Sequence, residues 1–200
     1  MDKMANFETT TLGRLALRKI ATVLSCLLLA GCWQSEGSLL GDVQPVQPFR
    51  AGKVVSSNPE KPGDMSHAVL TKAKDGSYRL TSADKKDAGD AMVLRFIALP
   101  GLPPDTFVFE AVSDDKCRPG QTCHPVTPKS ERDYGLVRRT QGGAEVTNPD
   151  CGKSDPAARL PGVKAGDYSI CTFSSRASLG TALMALARQN WKTSVVYTYE

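Results

Sequence analysis

The sequence predicts a mainly β domain of the α+β class, built as a curled antiparallel sheet or a small barrel with one C-terminal helix followed by a last strand. Three observations support this prediction. Short segments of alternating apolar and polar residues recur from residue 67 onwards and are separated by turn signals. Only one segment, near the C-terminus, has its apolar residues at helical spacing. A run rich in β-branched and aromatic residues follows it.

Strand patterns occur in eight segments, which are 67–72, 77–82, 91–99, 106–112, 134–140, 144–147, 167–173 and 193–199. Asp75-Gly76 and Gly142-Gly143 each separate two of these segments, and both are turn sequences typical of hairpins. Segment 91–99 is the strongest strand, because it is apolar on both faces apart from Arg95. This pattern indicates a strand that is buried on much of both sides.

One helix is predicted after residue 174. Either Ser174 or Ser175 can cap its N-terminus, because a serine hydroxyl accepts a hydrogen bond from a free backbone N–H. The apolar residues that follow share one face at helical spacing; they are Leu179, Leu183, Leu186 and Ala187. Asn190 can end the helix. We expect the apolar face to cover one open face or one end of the sheet.

The N-terminal segment has the layout of a secretory signal peptide. Basic residues precede an apolar run at residues 20–30, and this run is about half the length of a membrane-spanning helix. The tetrapeptide Leu29-Ala30-Gly31-Cys32 resembles the lipobox of bacterial lipoproteins. The resemblance implies cleavage before Cys32, a diacylglyceryl thioether on its sulfur, and acylation of the new amino terminus. An ordinary cleaved signal and an uncleaved anchor or core helix are the alternatives.

The same resemblance implies a location. In Gram-negative lipoproteins an Asp after the lipidated Cys favours retention in the inner membrane, whereas Trp33 follows Cys32 in this chain. We therefore expect the protein at the outer membrane, held by the lipid on Cys32 and facing the periplasm. Trp33 is expected at the membrane interface, where amphipathic rings are enriched.

Composition divides the chain into three parts. Residues 1–31 form the signal peptide, and residues 32–48 form the lipidated cysteine and a flexible tether, because Gly, Pro and polar residues dominate there. Fully extended, such a tether reaches ~50 Å at about 3.4 Å per residue. Residues 49–200 form a single disulfide-bonded β-rich domain, long enough to bury a core.

Six cysteines divide by position. Cys26 leaves with the signal and Cys32 carries lipid. The remaining four are Cys117, Cys123, Cys151 and Cys171, an even number that predicts two disulfides in an oxidising compartment. Three pairings are possible. We favour Cys117–Cys123, around a Pro-Gly turn, and Cys151–Cys171, between neighbouring elements.

Zinc held by these cysteines and His124 is the competing interpretation. The cysteines, however, lack the usual two-to-four-residue spacing of a zinc site. We therefore expect no metal and no cofactor.

Charge and motifs exclude several function classes. Loss of the four basic and two acidic residues of segment 1–31 leaves a net charge of about +2, without the clustered Lys and Arg of a nucleic-acid-binding surface. No nucleophile elbow or glycine-rich phosphate loop occurs. The two histidines, His67 and His124, are expected to be structural or surface residues. We therefore do not expect an enzyme.

Three functions agree with these observations. The first is a non-catalytic binding or structural lipoprotein that docks on an envelope protein or on the cell wall. The second is a carrier of a small apolar ligand, because strands followed by a helix and a closing strand resemble lipocalins. The lipocalin Gly-x-Trp signature is absent, since the mature chain has only Trp33 and Trp191. The third is an inhibitor of an envelope hydrolase.

Overall fold

The computed structural model describes seven stretches of the chain, which are residues 33–83, 91–114, 126–149, 151–152, 155–166, 169–189 and 192–200. Strands dominate these stretches. Near the C-terminus they contain one α-helix, which a final strand follows. The prediction of a mainly β domain with a late helix and a last strand is confirmed.

The core of the fold is a closed barrel of eight antiparallel strands. In chain order these are β2 (Gly52–Asn58), β3 (Lys61–Lys72), β4 (Tyr78–Ser82), β5 (Ala91–Ile97), β6 (Thr106–Ser113), β7 (Glu131–Arg139), β8 (Gly143–Thr147) and β11 (Val195–Tyr199). Each strand pairs with the next, and β11 closes the barrel against β2, with Val196 opposite Ser57. Of the two predicted architectures, the structure is therefore the small barrel. Closure leaves the barrel without exposed edges.

Three short strands extend the barrel wall: β1 (Trp33–Glu36), β9 (Val163–Ala165) and β10 (Cys171–Phe173). Strand β1 pairs antiparallel with the first half of β7 and parallel with β10, so Trp33 lies between Tyr134 and Cys171. The long connection from β8 to β11 contains β9, β10, a 3-10 helix at Pro156–Arg159 and helix α1 at Arg176–Ala187.

Most predicted elements are present with shifted ends, and three strands were missed: β1, β2 and β9. The sequence analysis did not predict β2, and it began β3 at residue 67 rather than at Lys61. Serines interrupt the apolar alternation in β2, and Pro62-Gly63 reads as a turn, although both segments pair in the barrel. Of the predicted strand 167–173 only the end forms β10, and residues 167–168 lie outside the described residues.

Helix α1 begins as predicted. Ser175 is the N-cap, and its hydroxyl accepts a hydrogen bond from the backbone N–H of Ser178 at 3.2 Å. Leu179 and Leu183 are fully buried on the predicted apolar face. Arg188 follows as the C-cap residue, whereas Asn190, the predicted end, lies outside the described residues.

Aromatic rings fill one end of the barrel. The ring of Phe49, from the segment that leads into β2, packs edge-on against Phe96 with centroids 4.8 Å apart, and Tyr78 and Phe107 surround the same ring. The Tyr78 hydroxyl accepts a hydrogen bond from the Phe49 N–H at 3.0 Å and donates one to the Phe49 carbonyl at 2.7 Å. We call this end, defined by these four residues, the plugged end.

Close packing inside the barrel depends on a glycine in β7. A Cβ atom at Gly135 would lie 2.5 Å from the ring of Phe109 and 2.5 Å from the carbonyl oxygen of Thr147. Only glycine therefore lets the Phe109 ring sit directly against this strand. This ring adds to the aromatic filling of the barrel.

A second core lies outside the barrel. It fills the space between the outer wall of strands β5 to β7 and a layer made of β1, β10 and α1. Its buried members include Ile97, Val108, Leu136, Phe173, Leu179 and Leu183. Trp33 and Leu40, which are 3% and 1% exposed, belong to the same core. The apolar face of α1 is therefore buried against the barrel wall, as the sequence analysis expected.

A buried carboxylate fixes the N-terminal segment to the barrel. Glu110, on the outer face of β6, is 3% exposed and accepts hydrogen bonds from Arg95 at 3.0 Å, Ser38 at 2.5 Å and the Tyr134 hydroxyl at 3.1 Å. The Tyr134 hydroxyl also accepts the Leu39 N–H at 3.0 Å. Several donors are needed here, because a buried charge is costly unless it is paired and hydrogen-bonded.

The prediction of a flexible tether at residues 32–48 is wrong for the part that the structure describes. Residues 33–36 form β1, Leu40 is buried, and Val46 forms a bridge with Phe96. The expectation that Trp33 lies at the membrane interface is contradicted by its burial against Phe173, with ring centroids 5.4 Å apart. The Gly and Pro content of this segment serves tight turns in a packed chain rather than a coil.

Replacing Tyr134 by Phe tests this attachment. The change removes the hydroxyl that bonds Glu110 and leaves the Leu39 N–H without its partner, so we expect a loss of about 1–3 kcal/mol in the free energy of unfolding. Urea denaturation measures the loss. The control is Tyr199→Phe, which removes a hydroxyl that accepts a hydrogen bond from the exposed Arg50 N–H. Equal losses in both variants would contradict the role assigned to Glu110 and Tyr134.

Candidate functional site

A groove of about 630 Å³ opens between the barrel rim and the layer that contains α1. The rim side is formed by the ends of β2 and β8 and the start of β11, and the other side by the 3-10 helix and α1. Its lining includes Trp33, Asn148, Pro156, Ala157, Leu160, Ala182, Ala185, Leu186, Gln189 and Lys192. We call this feature the groove. Its size is typical of sites that bind small molecules.

The floor of the groove is aliphatic. Helix α1 presents Ala182, Ala185 and Leu186 at helical spacing, and Leu160 lies beside them. Small alanine side chains at two of these positions leave room between the helix and the barrel rim. Leu160 and Leu186 also pack on the second core, so the floor is continuous with a rigid interior.

Two residues that line the groove each carry a buried polar atom without a hydrogen-bond partner among the described residues. The indole Nε1 of Trp33 is a donor, and the side-chain Oδ1 of Asn148 is an acceptor. Leaving such a group unpaired costs about 1–3 kcal/mol, so native structures contain few of them. Both atoms are buried, so the structure holds one unused donor and one unused acceptor behind the lining of the groove.

The backbone around both atoms is firmly held. Trp33 lies between two strands, and its ring packs against Phe173. The Asn148 N–H donates to the Ser194 hydroxyl at 3.1 Å, and the neighbouring Thr147 hydroxyl donates to the Lys192 carbonyl. The disulfide between Cys151 and Cys171, with Cα atoms 5.5 Å apart, joins the chain after Asn148 to β10. The two unpaired atoms therefore sit on a preformed frame.

The charges at the groove leave no cation unpaired among the lining residues that the structure describes. Lys192 pairs with Glu60 at the exposed rim, and this hydrogen bond lowers the pKa of the Glu60 carboxyl. Asp155 caps the 3-10 helix, where its carboxylate accepts the Ala157 N–H at 2.7 Å. The site is therefore neutral to slightly negative, and it offers no counterion to an acidic ligand.

The site residues predicted from the sequence either lie away from the groove or fall outside the described residues. Cys32, Cys117, Cys123 and His124 lie outside the described residues. The Cys151–Cys171 disulfide is one of the two bridges that the sequence analysis favoured. His67 is exposed on β3 and contacts the Glu200 carboxylate at 2.7 Å. Within the described stretches, no group of three or more His, Cys, Asp or Glu could hold a metal ion.

Trp33 and Asn148 are the site residues that sequence reasoning missed. Trp33 was assigned to the membrane interface, and Asn148 lies in an Asn-Pro sequence that reads as a loop. Neither residue carries a local signal for binding. Their common feature is an unpaired polar atom, which only the packed structure reveals.

A second polar feature lies on the inner face of the barrel. Asp133 of β7 is opposite Ala111 of β6, and its carboxylate accepts a hydrogen bond from the Gln34 side chain at 2.9 Å. Burial raises the pKa of Asp133 to about 6, and the negative charge of Glu131 adds to this rise, while the Gln34 hydrogen bond opposes it. This carboxyl therefore titrates close to neutral pH.

Comparison with known proteins adds no assignment: the chain matches no protein-family model, no curated protein and no solved structure. Within the described part of the chain, none of the helical structure combines the length and the apolar character needed to cross a membrane.

The Asp133 carboxyl predicts a pH dependence of stability. Because its folded pKa is raised, the protonated form is favoured in the folded state, and stability falls as the pH rises from about 4 through about 6. At 1.36 kcal/mol per pKa unit, the ionised carboxylate lowers the free energy of unfolding by up to about 3 kcal/mol at neutral pH. Asp133→Asn should therefore stabilise the protein at pH 7.5 and have little effect at pH 4.

Urea denaturation between pH 4 and pH 7.5 measures this difference. The control is Asp64→Asn, which removes an exposed carboxylate from β3. A gain from Asp133→Asn that is independent of pH, or that Asp64→Asn reproduces, would contradict the role of Asp133.

Proposed function

We propose that this protein is a non-catalytic binding module of the bacterial envelope, anchored through lipid on Cys32, whose binding site is the groove. The observation that carries the binding proposal is the groove itself, a concavity of about 630 Å³ with an aliphatic floor and polar side chains such as Thr181 and Gln189 in its lining. A concave, largely apolar site with a few convergent polar groups is the usual form of a small-molecule site.

The groove supports binding better than catalysis. Its described lining contains no histidine or cysteine, and Asp155 already serves as a helix cap. General acid–base or nucleophilic chemistry needs a group free to accept or donate a proton at the reacting atom. The available groups instead suit the recognition of a molecule that keeps its covalent structure.

The position of β1 determines how a lipid on Cys32 would hold the folded domain. Because β1 begins at Trp33, no slack separates residue 32 from the folded domain. A lipid on Cys32 would hold the domain directly against the membrane, on the side where Trp33 borders the groove. The partner in this proposal is therefore a small molecule met at or near the membrane surface.

A lipocalin-like carrier remains the second candidate. A closed eight-stranded barrel is compatible with a lipocalin-like binder, since barrels of this size can hold one small ligand. In this chain, however, Phe49, Tyr78, Phe96 and Phe107 fill the plugged end of the barrel. The groove, with a volume of about 630 Å³ and an aliphatic floor, is the better supported site.

Filling the groove tests the proposed site. Ala185 is exposed on α1 and lines the groove, so Ala185→Trp should occupy the space without disturbing the second core. The matched control is Ala177→Trp, an exposed position on the same helix that does not line the groove. Protein purified from its native envelope is denatured, and released small molecules are identified by mass spectrometry.

We expect the wild-type protein and the Ala177→Trp variant to release the same molecule, and the Ala185→Trp variant to release at most a tenth as much. Equal release from all three proteins would place the binding elsewhere, for example in the barrel. Release of no molecule from any of them would contradict the binding proposal.

Replacing Cys32 by Ala tests the anchor. The thioether forms on the cysteine sulfur, so the variant should lose incorporation of labelled fatty acid and move from the membrane fraction to the soluble fraction. Metabolic labelling with fractionation measures both. The control is Cys151→Ala, which removes a cysteine of the disulfide but leaves Cys32 in place. Continued labelling of Cys32→Ala would contradict the lipid anchor.

A further inference from the structure

The lining of the groove combines an aliphatic floor with a charged mouth. Leu160, Ala185 and Leu186 belong to the floor. Glu60 and Lys192 also line the groove, and their side chains are 59% and 80% exposed, so they stand at its open side. A molecule that contacts both parts must be apolar along its body and polar at one end. The lining therefore favours an amphiphile.

The two charges of the mouth are fixed in position through their backbones. The Glu60 N–H donates to the side chain of Asn58 at 2.8 Å, and the Lys192 carbonyl accepts the Thr147 hydroxyl at 2.5 Å. The side chains of Glu60 and Lys192 form an ion pair with each other. Because an exposed ion pair contributes little to stability, either partner can turn to a ligand at small cost.

A zwitterionic head group matches this mouth better than a head group with a single charge. Its phosphate can accept from the Lys192 ammonium while its own ammonium donates to the Glu60 carboxylate. An anionic head group would take Lys192 away from Glu60 and leave that carboxylate unpaired, and Asp155 adds a further negative charge to the lining. A cationic head group would leave Lys192 unpaired in the same way.

The register of the strands places the groove next to the site of the proposed anchor. The first residue of β1, Trp33, lies opposite Tyr134 of β7. The last residue of β8, Thr147, lies opposite Leu136 of the same strand. Both Trp33 and Thr147 line the groove, which therefore opens where β1 and β8 meet on β7. A lipid on Cys32 would bring this junction to the membrane surface, where lipids are the most abundant amphiphiles.

We propose that the groove binds a zwitterionic lipid with a single acyl chain, whose chain lies along the aliphatic floor and whose phosphate and ammonium groups contact Lys192 and Glu60. A volume of about 630 Å³ suits one chain with its head group, whereas a phospholipid with two long chains is larger. This inference rests on the proposed function of the groove as the binding site. It names the ligand class as a lysophospholipid of the membrane that holds Cys32.

The test measures the binding of lauroyl lysophosphatidylethanolamine by titration calorimetry, below its micelle concentration. The Cys32→Ala protein is used, because it carries no acyl chain of its own to enter the groove. Lauroyl lysophosphatidylglycerol has the same chain with an anionic head group, and glycerophosphoethanolamine has the zwitterionic head group without the chain. We expect saturable binding of the first, about fivefold weaker binding of the second and no measurable binding of the third.

Variants of the mouth separate recognition of the head group from binding of the chain. Glu60→Lys places two cations at the mouth, so it should reverse the preference and bind the anionic lysolipid more tightly. Lys192→Glu should weaken both lysolipids, because no cation remains for the phosphate. The matched control is Asp64→Lys, which makes the same charge change at an exposed position of β3 outside the lining and should keep the original preference.

Variants of the floor test where the chain binds. Ala185→Trp fills the groove and should abolish binding of both lysolipids, whereas Ala177→Trp, on the same helix but outside the lining, should leave it unchanged. Binding that survives in Ala185→Trp would overturn the assignment of the chain to this floor.

The outcomes distinguish this inference from the proposed function. Equal affinities for the two lysolipids, or an unchanged preference in Glu60→Lys, would overturn recognition of a zwitterion even if Ala185→Trp still blocked a natural ligand. Absence of any binding of lysophosphatidylethanolamine would overturn it as well. Release of a molecule of another class from the native protein would contradict the ligand class while leaving the groove as the binding site.

Discussion

The buried carboxylate of Glu110 is the constraint on which the rest of the structure depends. It lies on the outer wall of the barrel at 3% exposure, so it must be matched by donors from several directions. Arg95 comes from the neighbouring strand, Tyr134 from the strand on the other side, and Ser38 from the N-terminal segment. Burial of this charge is therefore coupled to attachment of the N-terminal segment, because that segment supplies one of the donors.

Attachment of that segment creates the second core and, through it, the groove. Trp33 and Leu40 enter the space between the barrel wall and α1, where they pack with Phe173, Leu179 and Leu183. The same Trp33 also lines the groove. A residue that the sequence places beside a lipidated cysteine thus serves both the packing of the domain and its candidate site.

The sequence could predict the elements whose signals are local. Alternation in β6, the Asp75-Gly76 turn, where Gly76 adopts a φ of 87°, and the Ser175 cap all act within a few residues. The same local logic missed β2, because its serines interrupt the alternation. Such polar residues are nevertheless accommodated in a barrel strand, where backbone pairing with both neighbours supplies the order.

The tether and the site could not be predicted, because their causes are distant in sequence. The Gly and Pro content of residues 37–48 suits both a free coil and a packed loop. The difference between them lies in Glu110 and Tyr134, which the chain brings to the segment only on folding. Likewise, Trp33 and Asn148 come to line one site only when β1 and the end of β8 border the same groove.

The central claim is that the chain is folded onto the barrel from Trp33 onwards. Hydrogen–deuterium exchange of the backbone amides in residues 33–43 tests it most directly. The Leu39 N–H, bonded to Tyr134, and the Gly37 N–H, bonded to the Ser130 carbonyl, should exchange many times more slowly than in a free chain. Exchange of both at free-chain rates, with the barrel strands still protected, would contradict the account.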